Sequence, residues 1–444
     1  MTSHIFRSPA VHSRRPRHAG FARIGGAIAA ALLLVCSSAA HAQAPAAAPA
    51  QDPTITTTMD AAEADGDTPK RDLIKFNEYL WRGFTLRWGG GFLWDYSTYS
   101  QDENSESQMA ISPVSDLRDF RVLLKGKVPI PHVTYTLGYM YDKAKDSWRF
   151  RQTGIMVDVP KLSGNFFIGR TKEGFSTSKI MVGYQGWTNE RATMNDALIP
   201  ILADGIKWNG YLPNGKFLYN IGFFKDTRSE VETFNKNDKQ TVFRGVFLPN
   251  AGTTRPLVHI AFQARHALAD DGELQYRSKP ESYQSQAYAI DTGKFAADYA
   301  NAYGVELYYR PGPLMFGSEY YFNKVKAPDS GDPMFHGGEA FFAYTLTGEV
   351  KPYNARGGYF ERLSPAHPVF QGGLGAWELV GRFSYSDMDD KTIAGGKFWR
   401  FTPMLNWHMT DNVRLEFVYG YSSLNRFGVV GKTQYFQSRL QLQL

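Results

Sequence analysis

The sequence predicts an all-β fold, a transmembrane antiparallel β-barrel of about 16 strands. Three observations carry this. A two-residue alternation of apolar and polar side chains returns along nearly the whole chain from Arg82 to Leu444. Each alternating segment is roughly nine to eleven residues, the length a tilted strand needs to cross a bilayer. Aromatic residues make up 15% of the chain, with 25 Tyr, 31 Phe and 42 Gly, yet mean hydropathy stays below zero. That mixture suits an oily outer wall, aromatic girdles and a wet interior. A soluble sandwich would need a second apolar layer, which the polar strand faces cannot supply.

The first strand sets the pattern. Phe84, Leu86, Trp88, Gly90, Phe92, Trp94 and Tyr96 lie on one face, and Thr85, Arg87, Gly89, Gly91 and Asp95 on the other. Successive side chains of a strand point to opposite faces, so one face meets lipid and the other the lumen. Val133, Tyr135, Leu137, Tyr139 and Tyr141 repeat the scheme, as do Val413, Leu415, Phe417, Tyr419 and Tyr421. Strands are expected near 82–96, 118–128, 132–142, 150–159, 165–171, 204–212, 216–225 and 241–249. They continue near 256–265, 302–310, 314–325, 339–347, 376–386, 397–409, 413–422 and 434–444. The chain ends Arg439-Leu440-Gln441-Leu442-Gln443-Leu444, alternating to the last residue, with Leu444 where such barrels usually place an aromatic.

The connections fall into two kinds. Short ones carry turn chemistry: Pro129-Ile130-Pro131, Ser163-Gly164-Asn165, Pro213-Asn214-Gly215, Pro311-Gly312-Pro313 and Asp411-Asn412. Long polar ones run from Ser97 to Leu117, Thr171 to Ala203, Lys225 to Gln240, Arg265 to Tyr299 and Glu349 to Gly375. Short turns on one rim and long loops on the other are the expected arrangement.

Residues 1–42 read as a signal peptide. Arg7, Arg14, Arg15, Arg17 and Arg23 precede an apolar run from Ile24 to Val35, and Ala40-His41-Ala42 supplies small residues for cleavage after Ala42. Pro16 and missing flanking residues depart from a twin-arginine signal. Cys36, the one cysteine, lies inside this segment, so the mature chain crosses an oxidising compartment without disulfides. Five of the 49 Lys and Arg leave with it, and no Asp or Glu does, so 44 basic groups face 43 acidic ones. The alkaline isoelectric point belongs mostly to the signal, and nucleic-acid binding is excluded as a reading of net charge. Residues 43–71, rich in Ala, Pro and Thr, read as a flexible periplasmic N-terminal segment, and 72–444 as the barrel domain.

Charged residues on lumen faces are the candidates for function. Phe120, Val122 and Leu124 share the outer face, which puts Arg121 and Lys125 inside with Leu123. A lumen Arg either braces the wall against an acid such as Glu306, Glu319, Glu378 or Glu416, or belongs to a basic track for anions. The segment from Gly169-Arg170 to Lys179 lacks the pattern of a phosphate-binding loop. It is read as opening a long loop that folds into the lumen, carrying Lys172 and Lys179 near the constriction. Arg277-Ser278-Lys279-Pro280-Glu281 lies in another long loop, where charges are ordinarily solvated. His132, His259, His266, His336, His367 and His408 remain after the signal, without metal spacing, and no catalytic motif stands out. No cofactor, metal or catalytic residue is expected.

At these residues the chain resembles the phosphate-selective porin O and P family, over most of the span from about Phe84 to Leu444. The resemblance is carried by Ala343-Tyr344-Thr345-Leu346-Thr347-Gly348-Glu349, Leu374-Gly375-Ala376-Trp377-Glu378-Leu379, Arg382-Phe383-Ser384, Arg118-Asp119-Phe120-Arg121 with Gly126, and the 169–179 segment. It implies a sixteen-stranded homotrimeric porin in the outer membrane of a Gram-negative bacterium, with lipid and small anions as its partners. By position, one member of the family's constriction Arg pair falls on Arg118 and its constriction Lys on Lys179, and basic residues of a lumen-lining loop fall on Arg277 and Lys279. The second Arg of the pair falls on Asp119, an Arg of the phosphate-specific members on Gly91, and an acid that tunes release on Gln152. The resulting expectation is a passive channel, not an enzyme, for small hydrophilic solutes with anions such as phosphate favoured. The alternatives are a non-selective or cation-leaning general porin and an outer-membrane barrel hydrolase.

Overall fold

The structure, a computed structural model, describes residues 55–56, 77–143, 146–225 and 237–444. The expected signal peptide, all of 43–71 except residues 55–56, and most of the 225–240 connection lie outside the described residues. Sixteen antiparallel strands close into a barrel. They are β1 (Phe84–Gln101), β2 (Val114–Lys127), β3 (Val133–Asp142), β4 (Ser147–Val159), β5 (Gly164–Thr171), β6 (Ala203–Tyr211), β7 (Phe217–Lys225) and β8 (Asn237–Phe247). The others are β9 (Leu257–Ala269), β10 (Tyr299–Arg310), β11 (Leu314–Lys326), β12 (Met334–Thr345), β13 (Ala376–Asp390), β14 (Ile393–His408), β15 (Val413–Arg426) and β16 (Val429–Gln443). Each corresponds to one expected segment.

Several strands run past their expected ends, as β1 does to Gln101 and β8 and β12 do by starting at Asn237 and Met334. Beyond the apolar band both faces meet water, so the ladder continues where the alternation fades. The barrel closes where β16 pairs with β1, from Thr433↔Gln101 to Gln443↔Gly91. A short strand, Glu78–Trp81, folds back on the start of β1. At the opposite rim, β15 turns into β16 through Phe427 and Gly428, both with positive φ (54° and 78°), the twist a two-residue hairpin requires.

The outer wall is apolar. Tyr303, Val305, Leu307 and Tyr309 of β10 stand exposed beside Phe316 and Phe322 of β11. Trp377 stacks on Trp407 at 4.9 Å near the rim that holds the strand termini, and Trp399 packs against Tyr421 at 5.7 Å toward the other. Such aromatic pairs suit the two interfaces of a bilayer.

Two expectations are corrected. Long and short connections do not segregate cleanly. The 346–375 segment joins β12 to β13 at the terminal rim, among the short turns, while β13–β14 and β15–β16 turn tightly at the long-loop rim. Nor is the lumen evenly wet. The 346–375 segment folds inward as a hairpin, Tyr353–Asn354 against Tyr359–Phe360. Phe360 packs edge-on to Trp187 of the 172–202 loop at 5.3 Å, within an apolar cluster that includes Tyr308, Phe341 and Met404 of the wall. A second cluster, with Phe175, Leu198, Tyr276, Phe335 and Phe398, fills the other half. Lumen-facing residues of β13 and β14 are therefore buried, whereas Arg121, Leu123, Lys125, Arg149 and Arg151 of β2 and β4 stay partly exposed. The open space lies against one wall.

A Val305→Arg substitution, on the lipid face midway along β10, is expected to destabilise the barrel by about 2–4 kcal/mol, measured by denaturant unfolding from vesicles.

Candidate functional site

Three connections meet inside the barrel, and their backbone must be satisfied without a ladder. Wall side chains do this for residues 184–190. Gln441 donates to the Tyr184 carbonyl (3.0 Å), Arg414 to Gly186 (2.9 Å), Asn406 to Trp187 (2.8 Å) and Arg382 to Glu190 (2.7 Å). Arg439 donates to Asn189. Earlier in the same loop, the short helix α1 (Thr177–Ile180) presents its first amides to wall acids. The Thr177 and Ser178 N–H groups donate to Glu306 and Glu319, each at 2.8 Å. These are two of the acids offered as braces for a lumen Arg; Glu306 does brace Arg244 of β8, at 2.8 Å, and it holds the helix N-terminus as well.

The 270–298 loop docks the same way. Arg382 pairs with the Glu281 carboxylate, and Arg400 donates to the Pro280 and Glu281 carbonyls at 2.9 and 2.8 Å. The charges from Arg277 to Glu281 are thus not a solvated loop tip. They are pinned in the lumen.

Between these loops and β1–β4 lies a cavity of about 350 Å³. Arg118 reaches it through a β-bulge. Strict alternation would send Arg118 outward with Phe120, but Trp94 pairs with Leu117 and Leu93 with Asp119, leaving Arg118 as the extra residue. Its guanidinium forks onto Glu190 (Nε to Oε1 2.9 Å, Nη2 to Oε2 3.2 Å) and stacks 3.5 Å over the Tyr283 ring. Arg121 pairs with Asp119 and stacks 4.4 Å over Tyr184. A side chain at Gly91 would collide with that same Tyr184 ring, at 2.4 Å, so the tyrosine occupies the space an arginine at position 91 would need. A second bulge, on β4 opposite Gly138, turns Arg151 and Gln152 inward together.

Glu190 is the junction. Besides Arg118 it binds Arg439, whose other partner is Asp95 on β1 (2.6 and 2.7 Å). Burial alone would push its carboxyl up, but Arg118 and Arg439 outweigh that and hold it at about 2. Lys172 behaves oppositely. It donates to the Ile180 and Met181 carbonyls (2.8 and 2.6 Å), and burial, reinforced by Arg191, Arg151, Arg121 and Lys207, pushes its amine well below the usual range. Arg191 likewise donates to carbonyls, of Ser178 (2.7 Å) and Met181 (3.2 Å).

Of the seven residues anticipated from sequence, Arg118, Arg121, Lys172 and Lys279 line the cavity. Lys279 donates to the Tyr283 carbonyl at 2.7 Å. Lys179 is buried and turned to Asp196 at 2.6 Å, Arg277 stacks on Tyr288 at 4.7 Å, and Lys125 sits lower on β2, opposite Arg87. None of these three lines it. Arg151, Arg191 and Arg439 were missed. Alternation with Trp148, Phe150 and Leu440 marks Arg151 and Arg439 as inward, while nothing in the pattern marks Arg191. Seven basic residues line the cavity against five carboxylates, from Asp119, Glu190, Asp196, Glu281 and Glu339.

A hydrolase reading finds three His beside acids among the described residues: His259 spends both ring nitrogens on Glu306 (2.9 Å) and Tyr353 (2.7 Å), fully buried, His408 lies 3.5 Å from Glu378, also buried, and His336 lies 4.0 Å from Asp387. Among the described residues no group of three or more His, Cys, Asp or Glu is placed to hold a metal.

A closed barrel with an apolar outer wall and a charged cavity within defines an outer-membrane channel. The chain belongs to the family described as phosphate-selective porin O and P, whose model matches residues 86–444. An uncharacterized protein of Caulobacter vibrioides is 28% identical over 240 residues, covering 52% of this chain and 48% of that protein. Porin O of Pseudomonas aeruginosa is 26% identical over 213 residues, covering 41% and 47%. The aligned region thus spans about half the length of each curated relative. In fold, the chain is similar to in-vitro folded OmpT of Vibrio cholerae, at 11% identity and a TM-score of 0.51, over 83% of this chain and 99% of that one.

Replacing Glu190 with Gln is expected to free Arg118 from its ion pair, leave Arg439 with the Asp95 carboxylate alone, raise the anion-to-cation permeability ratio, and loosen residues 184–190, seen as added open-channel noise. Because its carboxyl is held near 2 against an ordinary 4.5, this anchor is complete above about pH 4.5 and lost as pH falls toward 2. Noise in single-channel recordings should rise over that window in the parent protein, and the Gln variant should show no such rise.

Proposed function

We propose that the protein is a passive outer-membrane diffusion channel for small hydrophilic solutes that favours anions such as phosphate. It works as a homotrimer embedded in outer-membrane lipid and is exported by a signal peptide cleaved after Ala42. The rim holding the strand termini then faces the periplasm.

One observation carries the anion preference. Lys172 borders the cavity half-buried and donates to the Ile180 and Met181 carbonyls, with no ion pair to a carboxylate among the described residues, whereas Arg191, which also donates to carbonyls, lies in the field of Asp196 and Glu190. A cation partly withdrawn from water without a paired counter-charge is costly, and a passing anion relieves that cost. Attraction that is shared among several weak positions recruits an ion without trapping it.

A specific observation favours the rival, a non-selective or cation-leaning channel. Arg118 and Arg121, two of the arginines that line the cavity, are each matched by a carboxylate. The zero-current potential of the reconstituted protein across a potassium chloride gradient decides between them. The anion reading expects the sign of chloride permeation, and a potential of the potassium sign overturns it. Lys172 adds a pH signature. With its amine pushed well below 10.5, it discharges earlier than an ordinary lysine, so anion preference should weaken as pH is raised and should do so before ordinary lysines titrate.

A further inference from the structure

A second space adjoins the cavity. Lys172 and Val182 line both the cavity and this smaller space of about 70 Å³, which lies toward the terminal rim beside β5, β6 and β7. One side of this neck is barrel wall, with Lys207, Asn209 and Tyr211 of β6. The inner hairpin of the 346–375 segment makes the other, through Arg356, Gly357 and Tyr359. The Arg356 guanidinium lies 5.1 Å over the Tyr211 ring, so an arginine from one connection is held against the wall by an aromatic platform. Lys207 donates to the Lys172 carbonyl at 3.2 Å, which fixes the two lysines side by side.

The charge census differs sharply between the two spaces. Five carboxylates line the cavity, whereas among the described residues the neck is lined by Lys172, Lys207 and Arg356 and by no Asp or Glu. Gln152, turned inward by the β4 bulge, contributes an amide. Uncancelled charge in a narrow, low-dielectric passage acts on an ion more strongly than paired charge in a wider one. A space this small also strips part of an ion's hydration, and fixed donors must replace it.

We infer that this neck is the channel's selectivity filter, in which Lys207 and Arg356, with Lys172, form an anion site for a chloride-sized or phosphate-sized ion. The paired arginines of the cavity then contribute less to the choice of ion. This assignment rests on the anion-favouring channel proposed above.

The test is the chloride-to-potassium permeability ratio of the full mature protein in planar bilayers, from zero-current potentials in a potassium chloride gradient. Three variants are compared: Arg356→Gln, Lys207→Gln and Gln152→Glu. The last adds an acid to the neck without removing a cation. Each is expected to lower the ratio at least about threefold, with Arg356→Lys restoring it. Heat-modifiable gel migration confirms that each variant is a folded barrel, and Gln152→Glu keeps the test standing should Lys207→Gln fail to fold. An unchanged ratio in the folded variants, beside a parent that is anion-selective, overturns the neck assignment and leaves the channel reading intact. A parent with the potassium sign removes the anion-favouring reading itself.

Discussion

Main chain that enters a barrel lumen leaves the ladder behind, and its carbonyl and amide groups still need partners. This constraint organises the interior. Gln441, Arg414, Asn406, Arg439 and Arg382 reach in from β13 to β16 to take the carbonyls of residues 184–190, and Arg400 takes those of Pro280 and Glu281. Four inward arginines are thereby committed to holding loops. Apolar side chains from the same loops fill the space between, so that side of the lumen is solid.

The opposite wall inherits the open space, and its charges are arranged differently. Bulges on β2 and β4 each insert an additional inward residue, which is how Arg118 and the Arg151–Gln152 pair come to face water. Acids follow these arginines closely, with Asp119 on Arg121 and Glu190 on Arg118 and Arg439. The cavity is consequently rich in charge yet modest in net charge. Further down, around Lys172 and Lys207, positive charge lines a space to which no acid among the described residues contributes. Structural demand, not solute demand, thus explains most of the lumen arginines, and the few cations outside those pairings are the ones available to an ion.

The barrel was legible because lipid imposes a strict rule. Every outward position must be apolar, and the two-residue period exposes that rule through all sixteen strands. The site was less legible, for physical reasons. A bulge breaks the period, so parity would have placed Arg118 in lipid, and family resemblance rather than pattern put it inside. Loop residues obey no period at all, which is why Glu190 and Arg191 went unmarked and Lys179 was expected at the constriction rather than against Asp196. The position of 346–375 was readable in hindsight. A connection leaving an even-numbered strand returns to the starting rim, so counting strands assigns this long segment to the terminal rim, where Arg356 meets Tyr211.

A water-filled, cation-lined route is proposed along one wall of an otherwise packed barrel. Cysteine accessibility tests it directly, since Cys36 is the chain's single cysteine and lies within the expected signal. Leu123→Cys and Thr402→Cys both face the lumen, from β2 and β14, the first partly exposed and the second buried. A negatively charged methanethiosulfonate reagent should modify the cysteine at 123 rapidly, faster than its positively charged counterpart, and leave the one at 402 untouched. Equal modification of both, or preference for the cationic reagent at 123, would contradict the account.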